Sequence, residues 1–141
     1  MRSFFIVLCI GLLFIAGTVY GQTWYPTNQA TIGWDASTEL VNGNPVPSDN
    51  VVKYRVWKKN SDGTGITVVE SDIVNTQYTF TFAEEGKFFL GVSALRYSAS
   101  EELLDESSVC WSDLVECVFN GETFGVRYYI PLSFTPNLRK Q

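Results

Sequence analysis

The sequence predicts an all-β protein, built as an antiparallel sandwich of seven strands. Apolar residues alternate with polar ones in short runs, most clearly over 78–82 and 88–94, and alternation places one set of side chains on one face of a strand. Turn-forming residues separate these runs at short, regular intervals, and no helical pattern lies between them. That spacing is typical of two packed antiparallel sheets.

Three of the predicted strands precede residue 60. Trp24-Tyr25 is a short candidate at the front, and alternation over 30–34 predicts the first clear strand. Residues 37–50 are rich in Asn, Gly, Pro and Ser, which predicts a long loop. Alternation resumes over 52–57 and predicts the third strand.

Four strands are expected in the rest of the sandwich. Asp62-Gly63 is a hairpin signal, so residues 66–70 should return antiparallel to the strand before it. The two alternating runs named above supply the next pair. Residues 97–105 form a polar, acidic loop, and 108–112 is the last strand of the sandwich.

Four motifs within these strands occur in the order found in one family. They are Ile32-Gly33-Trp34, Tyr54-Arg55-Val56, Tyr78-Thr79-Phe80 and the run 88–94. On these motifs the chain resembles the fibronectin type III family of immunoglobulin-like sandwiches over about residues 27–112. The resemblance implies a non-catalytic spacer or binding module and names no ligand. Phe88 stands where the family has a corner tyrosine, and a phenyl ring cannot make the hydroxyl's hydrogen bond.

The N-terminus has the layout of a secretory signal peptide. Arg2 precedes an apolar run of 13 residues, and Val19-Tyr20-Gly21 offers small residues for cleavage after Gly21. A membrane span needs ~20 apolar residues, which disfavours the alternative of an uncleaved anchor. We therefore expect a secreted, periplasmic or cell-surface protein with no membrane span after cleavage. The predicted divisions are a signal peptide (1–21), a sandwich (22–113) and a C-terminal segment (114–141).

Composition limits the chemistry. The formal net charge is −5, and every acidic residue lies at or before Glu122, so the acidic body argues against nucleic acid or anionic membrane as a partner. The chain has no histidine, which removes Ser-His and Cys-His catalysis and histidine metal sites. We expect no enzyme activity, no cofactor and no metal.

Two cysteines, Cys110 and Cys117, follow the signal peptide. An even count in an exported protein favours a disulfide between them, and the alternative is two reduced thiols.

A candidate binding surface is expected on the outer face of the third and sixth strands. Apolar residues that are left uncovered on such a face mark a contact surface for a protein or a sugar ring. Two alternatives are that the stems of Arg55 and Lys59 shield Trp57, or that the C-terminal segment covers the patch. The candidate residues are Arg55, Trp57, Phe89 and Leu95.

The C-terminal segment is too aromatic for a disordered tail. Asn120-Gly121 lies between two apolar pairs and predicts an extra β-hairpin over 115–130. The hairpin either packs on its own sandwich or adds to a neighbouring copy. The candidate assembly residues are Phe119, Phe124, Tyr128, Tyr129 and Ile130.

Taken together, these patterns favour an exported, non-catalytic module for protein binding or adhesion. The alternatives are a structural subunit of an extracellular filament or matrix, and an accessory carbohydrate-binding module. The expected partner is a protein or a second copy, or a glycan in the last alternative.

Overall fold

The computed structural model describes residues 21–133, and almost all of its regular structure is β. The predicted signal peptide, apart from Gly21, and residues 134–141 lie outside this range. Two single-turn 3₁₀ helices, Val115–Cys117 and Phe119–Gly121, interrupt the strands. The strands are β1 (Thr23–Pro26), β2 (Gln29–Gly33), β3 (Val51–Asn60), β4 (Thr67–Ile73), β5 (Gln77–Thr81), β6 (Gly86–Tyr97), β7 (Leu103–Glu106), β8 (Cys110–Trp111) and β9 (Phe124–Tyr128).

The strands form two sheets. The large sheet has seven strands in the order β1-β9-β6-β3-β4, with β7 and β8 also paired to β6. The small sheet contains β2 and β5 alone, paired antiparallel. The prediction of an all-β sandwich is therefore confirmed, and each strand predicted before residue 97 is present within a few residues of its expected position.

The long β3–β6 ladder is the frame of the large sheet. It is antiparallel and runs without a shift from Val51 opposite Tyr97 to Asn60 opposite Phe88. Because side chains alternate across a strand, one set faces the small sheet and the other faces outward. The outward set contains the candidate surface described below.

The other edge of β6 is paired with three short strands in succession. β9 pairs near Phe88, β8 at Gly91 and β7 near Leu95, all antiparallel. The strand β7 at Leu103–Glu106 corrects the prediction of a loop that reaches residue 105. Its sequence, LLDE, does not alternate, so periodicity gave no signal for it.

The predicted C-terminal hairpin is wrong. Asn120 and Gly121 do adopt positive φ values of 54° and 70°, but within the second 3₁₀ turn. The strand after them, β9, pairs antiparallel with β6 and parallel with β1, whose Trp24 lies opposite Gly125. An Asn-Gly pair fixes only the local backbone, so it cannot specify which strands the flanking residues join.

The core lies between the two sheets and is rich in phenylalanine. The rings of Phe82 and Phe88 stack with centroids 5.2 Å apart, and Phe80 stacks on Phe82 at 6.4 Å. Phe88 thus fills its corner by packing alone. Burial of each such side chain stabilises the fold by roughly 1.5–3 kcal/mol. The buried cluster consists of Val56, Phe80, Phe82, Phe88, Leu90 and Val126.

Candidate binding surface

The β3–β6 register places the four predicted surface residues on one face. Lys53 lies opposite Leu95, and Lys59 lies opposite Phe89. Paired residues point to the same side of a sheet, and this side is opposite the one that carries the core residue Val56. The residues concerned are Arg55, Trp57, Phe89 and Leu95.

Two of these residues are not exposed, which corrects the expected apolar patch. Phe89 is 6% exposed and Leu95 is 0% exposed. The ring of Trp24 lies 5.3 Å from that of Phe89, because β1 reaches this face through its pairing with β9. Alternation in β6 identified the face correctly but carried no information about the strand that lies beside it.

Two tryptophan rings lie over glycines on the outer face. A Cβ atom at Gly125 would be 2.5 Å from Cζ3 of Trp24, and one at Gly91 would be 2.7 Å from Cε3 of Trp111. No larger residue leaves room for these rings at the observed positions. Both rings are therefore held close to the sheet, and both remain half-buried.

Cations lie beside the aromatic rings of this face. The Nζ atom of Lys87 is 5.3 Å from the ring of Trp24, and that of Lys59 is 4.5 Å from the ring of Trp111. The guanidinium carbon of Arg55 is 5.8 Å from the ring of Trp57. These distances are in the range of cation–π attraction. Shielding of Trp57 by Arg55 is thus the alternative that the contacts favour.

A polar network fixes Trp57 and Arg55. The indole Nε1 of Trp57 donates to Oγ of Ser93 (2.9 Å), and this hydroxyl donates to Oε1 of Glu106 (2.8 Å). Arg55 donates from Nη1 to the other oxygen of Glu106 at 2.7 Å and from Nε to Oγ of Ser71 at 3.1 Å. Because Ser93 is only 1% exposed, its hydroxyl is held between two partners and away from water.

Positive charge is concentrated on the outer face. Five of the seven lysines and arginines between residues 21 and 133 project from it, although the whole chain carries a net charge of −5. Two of the five form ion pairs, Arg55 with Glu106 and Lys59 with Asp113 (3.0 Å). The other three have no salt bridge within the described residues. The five are Lys53, Arg55, Lys59, Lys87 and Arg127.

A second aromatic contact lies at the far end of the face. The Tyr97 hydroxyl donates to Oδ1 of Asp72 at 2.7 Å, and Nζ of Lys53 lies 4.9 Å from the Tyr97 ring. The hydrogen bond to the Asp72 carboxylate raises the pKa of Tyr97, because loss of the phenol proton would remove it.

The predicted disulfide is present. Cys110, in β8, and Cys117, in the first 3₁₀ helix, are bonded with their Cα atoms 5.4 Å apart. The bridge ties the 3₁₀ segment to the end of β8, next to the outer-face residue Trp111.

The candidate assembly residues are divided between the core and the surface. Phe124 and Tyr128 pack against the core of their own sandwich. Phe119, Tyr129 and Ile130 are 86%, 56% and 61% exposed. The part of the segment that forms β9 is therefore already paired within its own chain.

Within residues 21–133 no three metal-binding side chains cluster together. No helix in the same range is long and apolar enough to span a membrane. The hydroxyl and backbone N–H of Thr64 donate to the Asp62 carboxylate and lower its pKa. These hydrogen bonds belong to the turn between β3 and β4.

No protein-family model matches this chain, and no curated protein sequence matches it. A comparison with solved structures finds an Fn3-like protein from Clostridium thermocellum. The two share 20% sequence identity, the match covers 79% of this chain and 91% of the other, and the TM-score is 0.39. The strand pairings themselves show an all-β arrangement of two sheets. The pairing of β3 with β6 agrees with the expectation that the third and sixth strands share an outer face.

Proposed function

We propose that this chain is an exported, non-catalytic module that binds a partner protein through the outer face of its large sheet. The observation that supports it is the set of three half-exposed tryptophans, Trp24, Trp57 and Trp111, on the face that also carries five of the seven lysines and arginines of residues 21–133. Trp, Tyr and Arg dominate the binding energy of protein interfaces, because they present large, rigid areas with a polar end.

The charge of this face defines the chemistry of the partner. Lys53, Lys87 and Arg127 carry no ion pair among the described residues, so their charge is available to a second molecule. An acidic protein surface would complement them, and the association should weaken as salt is added.

A protein partner is favoured over a glycan by the contacts of the tryptophan rings. Sugar recognition uses an open ring face, whereas Trp24 and Trp111 each lie over a glycine and have a lysine ammonium nearby. Absence of binding on a glycan array is the result expected on this basis.

The test compares two double variants that change the net charge equally. Lys87→Gln with Arg127→Gln removes two exposed cations from the outer face, where these residues lie opposite each other. Asn75→Glu with Gln77→Glu adds two acids at exposed positions around the start of β5. Each immobilised chain is used to capture cell-surface and secreted proteins of the source organism.

We expect the first variant to lose the protein that the wild type retains, and the second to keep it. Equal retention by both variants, or no specific retention by the wild type, would contradict the proposal. Circular dichroism spectra that match the wild type establish that both variants are folded.

A further inference from the structure

The sandwich is open along one side, at the edge of β2. β2 pairs only with β5, while β1 pairs with β9 in the other sheet. A groove of about 450 Å³ lies between β2 and the β1–β9 pair, lined by residues that include Ile32, Tyr25 and Phe124. Tyr25 lies opposite the core residue Val126, so its side chain is on the inner face, yet it is 53% exposed. The interior is uncovered at this point.

The free edge of β2 offers unpaired backbone groups. The carbonyl of Asn28 accepts from the N–H of Phe82 (2.8 Å), and the N–H of Trp34 donates to the Thr76 carbonyl (2.9 Å). Backbone groups alternate in direction along a strand, so those of residues 28, 30, 32 and 34 point to β5 and those of 29, 31 and 33 point to the groove. The Thr27 hydroxyl bonds to both backbone groups of Gln29, which leaves Thr31 and Gly33 available.

The facing edge of β1 is less suited to pairing. The N–H groups of Thr23 and Thr27 donate to the carbonyls of Thr123 and Arg127, so the backbone groups of Trp24 and Pro26 point to the groove. Proline has no N–H to offer, and it is typical of edge strands that are protected from pairing. An added strand would therefore form its hydrogen bonds with β2.

The C-terminal sequence has the pattern of such a strand. From residue 132 to 139 it reads LSFTPNLR, in which apolar and polar residues alternate strictly. Leu132, the first of them, is 96% exposed at the end of the described chain. The apolar set is Leu132, Phe134, Pro136 and Leu138.

Pro136 determines the direction of pairing. In an antiparallel pair, hydrogen-bonded residues lie directly opposite each other and their side chains point to the same face of the sheet. The side-chain positions of Thr31 and Gly33 are on the outward face, so the polar residues of the added strand would be the ones that bond to β2. The apolar set would then fill the groove, and its backbone groups, including the missing N–H of Pro136, would point away from β2. In a parallel pair the apolar set would itself have to donate to β2, and Pro136 would leave one bond unmade.

The direction also identifies the donor molecule. Tyr129 and Pro131 line a cleft with Pro26 and Asn28, so the chain leaves the sandwich at the end where β2 begins. Its own tail, laid along β2 from that end, would run parallel to β2. Antiparallel pairing requires a strand that enters at the Gly33 end. We infer that residues 132–139 of one copy add as an antiparallel strand to β2 of a second copy.

This contact joins two different surfaces, so it is head-to-tail, and an assembly that does not close into a ring has a free tail at one end and a free groove at the other. Open chains of subunits are the expected product. The contact is separate from the outer face, and its test is independent of the proposed protein binding.

The experiment uses residues 22–141 and two complementary variants in sedimentation velocity. Phe134→Asp with Leu138→Asp disables the donor strand. Thr31→Pro disables the acceptor edge, and it leaves the β5 ladder intact because the N–H that it removes points to the groove. The wild type should form larger species as its concentration rises, each variant alone should be a monomer, and an equimolar mixture of the two should form a dimer. Pro136→Ala, a matched control in the tail, should assemble like the wild type.

A wild type that stays monomeric, assembly that survives the donor variant, or a mixture that forms no dimer would overturn the inference. Hydrogen exchange provides a second test should Thr31→Pro fail to fold. The amides of Thr31 and Gly33 should exchange at least ~10-fold more slowly in the assembled wild type than in the donor variant. Equal exchange in the two would also overturn it.

Discussion

The ring of Trp24 lies directly over Gly125, the residue opposite it in the parallel β1–β9 pair. This contact brings the N-terminal strand onto the outer face and covers Phe89 from one side. The two ends of the described chain therefore meet on the large sheet, and each helps to hold the other in place.

We expect Gly125→Ala to lower the free energy of unfolding by about 1–3 kcal/mol, because the added methyl group would lie 2.5 Å from Trp24 Cζ3 and displace the ring. Gly33→Ala is the matched control, since its Cβ would meet only the Thr76 carbonyl at an ordinary 3.6 Å. Urea unfolding measures the free energy of unfolding of both variants. Equal losses in the two variants would show that the ring moves freely.

The disulfide should contribute moderate stability. The bridge closes a loop with a sequence separation of 7, and loop-closure entropy for so short a loop corresponds to about 2–3 kcal/mol. Cys110→Ser with Cys117→Ser should therefore lower the unfolding midpoint. Addition of a reductant should lower the unfolding midpoint of the wild type in the same way. The same reductant should leave the midpoint of the double variant unchanged.

Ser93→Ala should destabilise the fold by about 1–3 kcal/mol, because it leaves the Trp57 indole N–H and one Glu106 oxygen without their partner in a partly buried site. The exposed Ser100→Ala is the control. Thermal unfolding gives the difference, and fluorescence should report a change near Trp57. A neutral result for Ser93→Ala would mean that water replaces the hydroxyl.

Tyr97 should ionise at higher pH than a free tyrosine. The Asp72 carboxylate stabilises the protonated phenol, so the pKa is raised in the folded state. The stability that this bond contributes is fully present below the pKa of the unfolded chain and is lost as pH rises through the folded value. Asp72→Asn should bring the pKa back toward 10, the ordinary value for tyrosine. Asn tolerates the positive φ of 58° at this position, so the backbone should stay in place.

Ultraviolet absorbance at alkaline pH, compared between the wild type and Asp72→Asn, measures this shift. Identical titration curves would contradict the role given to Asp72.

Alternation in the sequence was enough to predict most of the strands and the face on which each side chain lies. Phe80, Phe82, Phe88 and Leu90 are buried as that pattern required. It could not predict which strands lie side by side, because a strand's own periodicity is the same whatever its partner. The burial of Phe89 shows the consequence, since the strand that covers it begins more than sixty residues earlier in the chain.

The candidate sites were predicted to a similar extent. Arg55 and Trp57 share the expected face, but Trp24 and Trp111 were not anticipated there. The signal for them was present in Gly91 and Gly125, small residues within strands where another group comes close. The open β2 edge had no signal in β2 itself, since it results from the pairing of β1 with β9.

β8 and β9 both pair with β6, and the stretch of chain between them is not part of either ladder. The disulfide anchors the start of that stretch at Cys110, and β9 resumes pairing after it. The part between Cys117 and Glu122 can therefore change in length and side chains without moving the register on either side. Related chains would be free to diversify here first, and a foreign peptide inserted between Val118 and Asn120 should be displayed without unfolding the sandwich that carries it.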